Sequence, residues 1–133
     1  MHTTNYTNTF IKVAEDYGYE TARTDIKPET IGALQLAILA AKPYQITSDD
    51  LLSEVFAIRN NIDQSEWENA RIALLSKPQA CLRASPLVKS LGFGIHHNEQ
   101  SKIAAFAIES EEYSALLKDE NIKKVAGMRS KRA

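Results

Sequence analysis

The stretch from Ile31 to Ala41 constrains this chain more than any other, because it holds no charged residue and only Gln35 is strongly polar. Pro28 stands ahead of it and Pro43 just beyond it, a placement that favours a helix start and then forbids continuation. A helix apolar nearly all round cannot sit half in water. The rest of the chain is therefore expected to wrap around it as the central buried element, with Gly32 allowing a close approach.

Such wrapping is feasible in a chain of 133 residues, which is the usual size of one domain and long enough to bury a core without disulfides or metals. An apolar share of 44% and a charged share of 25% are those of an ordinary globular protein. No repeat, low-complexity tract or Gly/Ser/Pro-rich linker divides the chain, so residues 1–133 are read as a single domain. The polar, Thr/Asn-rich residues 1–8 and the terminal 128–133 are expected to be flexible.

Around the uncharged helix the local signals are distinct. Phe10 to Ala14 is β-compatible and precedes a turn at Gly18. Thr47-Ser48-Asp49-Asp50 places a cap and two carboxylates where a helix start favours negative charge, and Asn60-Asn61 ends that helix. Another helix is expected from about Ser65 to Ser76, with Pro78 beyond it. Ser85-Pro86 reads as a cap followed by a first-turn proline, and Gly92 suits the left-handed residue just past a short helix. Phe93 to His97 and Lys102 to Ile108, joined by Asn98-Glu99-Gln100-Ser101, form a hairpin. Ser110 caps a final helix with Glu111 and Glu112 in its first turn.

Strands at the two ends with helices between argue against repeated strand–helix–strand units. The expected fold is α+β: about five helices packed on one face of a small antiparallel sheet of about three strands.

The segments Cys81-Leu82-Arg83-Ala84-Ser85-Pro86-Leu87 and Gly92-Phe93-Gly94-Ile95-His96-His97 make the chain resemble a bacterial family known only as a domain of unknown function. Asn5-Tyr6, Asn8-Thr9-Phe10-Ile11, Thr47-Ser48-Asp49-Asp50, Glu109-Ser110-Glu111-Glu112-Tyr113 and Met128-Arg129-Ser130-Lys131-Arg132 carry the resemblance over nearly the whole length. That family more often has tryptophan where this chain has Phe93, a swap that keeps an aromatic ring. The resemblance implies a compact bacterial protein of this size, with no activity, substrate or catalytic residue to transfer.

Composition excludes some functions directly. A net charge of −1 removes the strongly basic chain expected of a nucleic-acid protein. Five basic residues, Lys123, Lys124, Arg129, Lys131 and Arg132, nevertheless follow Ile122 with no acidic one, so an adaptor role through this tail stays open. The start lacks the charged and apolar regions of a secretory signal, and no apolar run reaches the ~20 residues that span a bilayer. With a lone cysteine, Cys81, these features point to the cytoplasm and to no membrane partner.

Three constellations could carry chemistry. His96 and His97 are adjacent, and on a strand they face opposite sides, so they cannot jointly chelate a metal; no metal or other cofactor is expected. Cys81 beside Arg83 could be a nucleophile if His96 or His97 came close enough to act as base, against the commoner reading of a buried small hydrophobe. Arg83, Ser85 and Lys89 at a helix start could hold phosphate or carboxylate, against plain capping by Ser85. The leading expectation is a binding module whose small anionic ligand sits between Arg83–Lys89 and the strand Ile95–His97. The alternative is an enzyme built on Cys81 and His97.

Overall fold

The computed structural model describes residues 2–130. Its order is β1 (Thr9–Lys12), α1 (Ile31–Ala41), α2 (Ser48–Arg59), α3 (Trp67–Leu75), a π-helical turn (Leu87–Leu91), β2 (Phe93–His97), β3 (Ile103–Ala107), α4 (Glu111–Lys118) and β4 (Lys123–Ala126). The fold is α+β.

Helix starts follow the capping signals. Thr30 caps α1 through its side chain, while Pro28 lies in the turn ahead of that cap rather than in the helix. Thr47 and Asp50 form a reciprocal capping box at the start of α2. Ser110 accepts the N–H of Tyr113 at the start of α4. The turn after Pro86 is π-helical instead of α-helical, and it ends at Gly92, whose φ of +86° is the left-handed conformation glycine adopts without strain.

The sheet runs β3-β2-β1-β4. β1 and β2 pair antiparallel with Ile11 opposite Ile95, and β2 and β3 form the expected hairpin with His97 opposite Ile103. A fourth strand, β4, lies parallel to β1 with Phe10 opposite Lys124, so the sheet is mixed rather than purely antiparallel. Lys123 and Lys124 stand on this outer edge, where charged residues discourage pairing with another chain. On the opposite edge, Tyr44 N–H bonds the Ile103 carbonyl and Ile103 N–H bonds the Ile46 carbonyl, so the connection after α1 covers part of β3.

Helices were expected on one face; both faces are covered. On the first, Ile11, Ile95 and Ile103 pack with Ile38 and Leu39 of α1, Leu51 and Val55 of α2, and Leu87 and Val88 of the π-helical turn. On the second, Phe10 and Val13 pack with Tyr113, whose ring meets Phe10 edge-on at 5.0 Å. The Tyr113 hydroxyl accepts the Val13 N–H at 2.9 Å. Strand alternation forces this result: Phe10 and Ile11 are both fully buried, so each side of β1 needs a cover. α1 is central on the first face, and a Cβ on Gly32 would lie 2.6 Å from Leu91, the close approach anticipated for that glycine.

The N-terminal segment is also tied down, contrary to the loose arm expected for residues 1–8. His2 N–H bonds the Leu75 carbonyl, and the Asn8 side chain bonds the Asn121 carbonyl. Thr3 and Thr4 donate three hydrogen bonds of 2.6 to 2.8 Å to the buried carboxylate of Asp49. At the other end, Met128 N–H bonds the Arg83 carbonyl and Ser130 N–H bonds Asp16. Residues 131–133 lie outside the described range. No helix among the described residues is long and apolar enough to cross a membrane.

Candidate functional site

Several of the residues first proposed as an anion pocket hold other contacts. Ser85 is buried; its hydroxyl donates to Gln35 Oε1 at 2.5 Å and accepts the Leu87 N–H at 3.1 Å, so it is a cap and a packing contact. Arg83 Nε donates to the Ala126 carbonyl at 2.7 Å, fastening the end of β4. Lys89 sits on the π-helical turn, too short for the aligned dipoles of a helix N-terminus. His96 and His97 point to opposite sheet faces, as strand geometry requires.

His96 Nδ1 lies 2.8 Å from the Tyr44 hydroxyl, on the face away from Arg83 and Ser85. Tyr44 itself is held at a φ of +58°, unusual for a residue with a Cβ. His97 is 0% exposed, and neither ring nitrogen has a hydrogen-bond partner among the described residues. Burial disfavours its charged form, and the neighbouring His96 acts in the same direction, so His97 titrates only at about 4. His97 is a neutral core ring.

Between His97 and Cys81 stands Tyr6. Its ring meets the His97 imidazole edge-on at 5.2 Å, and its hydroxyl lies 3.2 Å from Cys81 Sγ. Burial raises the pKa of this phenol, and the hydrogen bond with Cys81 adds to the effect, so Tyr6 stays protonated. The sulfur's polar partner is thus a phenol from the N-terminal segment, not an imidazole. No composition or spacing signal marks Tyr6, because the pairing spans 75 residues of chain.

The basic tail is partly engaged. Lys124 Nζ donates to the carbonyls of Asp119 and Ile122, and Arg129 lies 3.4 Å from Glu15. Lys123 opens β4; Lys131 and Arg132 lie outside the described residues. No cluster of three or more His, Cys, Asp or Glu among the described residues could hold a metal.

A roomy cleft lies elsewhere, at the start of α1. It encloses about 610 Å³ and is walled by the long loop before α1, by Arg59 at the end of α2 and by the π-helical turn. The loop is held by Ala22 N–H on Glu109 and Arg23 N–H on the Leu91 carbonyl. Arg23, Lys27, Arg59, Asp25 and Glu29 all line it, and Arg23 is already paired with Asp25 at 2.7 Å. Lys27 and Arg59 make no ion pair with a described residue. Thr30 satisfies the Ala33 and Leu34 N–H groups, while those of Ile31 and Gly32 have no acceptor among the described residues. Ile31, 40% exposed, and Pro86 supply apolar walls.

A narrower cleft adjoins it. It holds about 320 Å³ between α1, α2 and residues 79–86, with Gln35, Gln79, Cys81 and Ser85 among its walls.

Compared with family models, residues 1–133 match the family of unknown function DUF6157. The chain belongs to that family. The resemblance read from Cys81 to Leu87 and from Gly92 to His97 thus holds over the full length, and those residues acquire positions in a DUF6157 fold: the first run builds the narrow cleft, the second supplies a central strand. No curated protein and no solved structure matches the chain.

Proposed function

We propose that this DUF6157 protein is a binding module of the cytoplasm that takes a small anionic ligand in the cleft at the start of α1. The reading keeps the class inferred from the sequence and moves the site. One observation carries it: Lys27 and Arg59, neither in an ion pair among the described residues, share a cleft of about 610 Å³ with the Ile31 and Gly32 N–H groups, which find no acceptor among those residues. An anion there meets two cations, two hydrogen-bond donors and the positive end of an eleven-residue helix. The first turn of α1 holds no acidic residue to compete for that position, unlike α2 and α4. Ile31, Pro86 and Leu91 favour a ligand with an apolar portion beside its carboxylate or phosphate.

Titration with citrate and, separately, with inorganic phosphate while recording amide spectra tests the proposal. The Ile31 and Gly32 amides should shift together and saturably, and the double variant Lys27→Ala/Arg59→Ala should weaken the response at least about tenfold, since a hydrogen-bonded charge contributes ~1.5–3 kcal/mol. Equal response in the double variant, or shifts scattered over all basic residues, refutes the site.

A further inference from the structure

We infer that the ligand of the cleft at the start of α1 is a medium-chain carboxylate, an unbranched fatty acid whose alkyl chain lies along a groove between α1, α2 and α3. This ligand class rests on the anion site proposed above. Two features of the groove and one of the cleft beside it carry the assignment.

The groove holds about 360 Å³, and Ile31 and Arg59 line both it and the wide cleft. Its α2 wall follows from helical spacing. Leu51 and Val55 are buried in the core, whereas Leu52 and Phe56, one residue further round and one turn apart, form a second apolar row that ends at Arg59. Leu74 of α3 and Ile31 of α1 supply apolar surface on the other walls. Phe56 is 38% exposed, so folding leaves part of this row in water, and a ligand that covers it gains the free energy of apolar burial. From Leu52 to Arg59 the row runs about two helical turns, roughly 10 Å, the reach of a medium-length alkyl chain.

Charge is confined to one end. Arg59 is the one charged side chain among the described residues that line the groove, and it makes no ion pair with any of them. A groove that is cationic where it meets the wide cleft and uncharged elsewhere fits a ligand charged at one end only. The wide cleft sets the charge of that end. Three basic and two acidic side chains line it, an excess of one positive charge. That excess balances a carboxylate, whereas a phosphate monoester carries nearly two negative charges at neutral pH. The Arg59 guanidinium also matches the two oxygens of a carboxylate.

Amide and methyl spectra of the full chain, titrated with butyrate and with octanoate below its micelle concentration, test this. Octanoate should move the Ile31 and Gly32 amides together with the Leu52, Val55 and Leu74 methyls. It should bind at least about tenfold tighter than butyrate, since each fully buried methylene is worth about fourfold in affinity. Phe56→Gln, a change at an exposed side chain, should weaken octanoate roughly fivefold and leave butyrate within about twofold, while Arg59→Gln should weaken both. Equal affinity for the two acids, with the Ile31 and Gly32 amides still moving, would overturn the groove and leave the anion site standing. Silence of those amides toward octanoate, citrate and phosphate alike would remove the anion site and the inference with it. Octanoate shifts confined to the methyls, or methyl shifts that grow with protein concentration when no ligand is present, would assign the groove to non-specific apolar contact or to a second copy, and either result overturns the inference.

Discussion

At the scale of single residues, the two adjacent histidines show how much a strand position decides. Their opposite facing follows from the pleat and was legible in the sequence. That one would be fully buried with no hydrogen bond was not, since it depends on Tyr6 arriving from the other end of the chain. A neutral buried imidazole has a consequence for stability against pH. The unfolded chain binds a proton at His97 near its ordinary value of 6.5, the folded chain only at about 4. Between those values the unfolded state holds more protons, so stability falls as pH falls and levels off below about 4. Lowering the pH from 7 to 5 should therefore remove about 2 kcal/mol through His97, at 1.36 kcal/mol per unit. His96, also held below its usual range by burial, acts in the same direction. Urea titrations at both pH values should show this loss, and His97→Leu should abolish most of it; an unchanged pH dependence in that variant would place the titration elsewhere.

Among the elements, those bounded by side-chain chemistry were the readable ones. Thr47 with Asp50, Ser110 and Gly92 each act within three or four residues of their own position, and the sequence assigns them correctly. The N-terminal segment is the reverse case. Its polar Thr and Asn residues look like a solvated arm, but Asp49 in the first turn of α2 gathers them: three donors from Thr3 and Thr4 converge on one buried carboxylate, and Asn5 Oδ1 accepts the Asp49 N–H. The carboxylate read as helix-dipole decoration is an anchor. Asp49→Ala should lower stability by about 3 kcal/mol, since buried hydrogen bonds to a charged group are worth ~1.5–3 kcal/mol each and their donors would be left unpaired. Hydrogen exchange should then speed up at Thr4 and Tyr6 ahead of the rest of the chain. Uniform acceleration would mean that the segment has no separate anchorage.

For the molecule as a whole, the sheet order explains why two proposals drawn from neighbouring sequence had to be revised. β1, first in sequence, lies inside the sheet between β2 and the edge strand β4, so the first and last strands are neighbours. β4 was read as part of a basic tail because Lys123 and Lys124 are poor strand formers and its partner is more than a hundred residues away. Ending the chain at Ile122 should leave one edge of β1 open, free the Arg83 guanidinium from Ala126 and cost at least about 3 kcal/mol, several ladder bonds at ~0.5–1.5 kcal/mol each. Chemical denaturation of the truncated chain would check this, a loss under 1 kcal/mol counting against an integral fourth strand. From the order of residues alone came the α+β class, the uncharged central helix, the hairpin and the family, because periodicity and caps act over a few residues. Tertiary structure decided which polar groups face a cleft. Gln35 and Tyr6 bond partners 50 and 75 residues along the chain, and contacts of that range leave no local pattern to read.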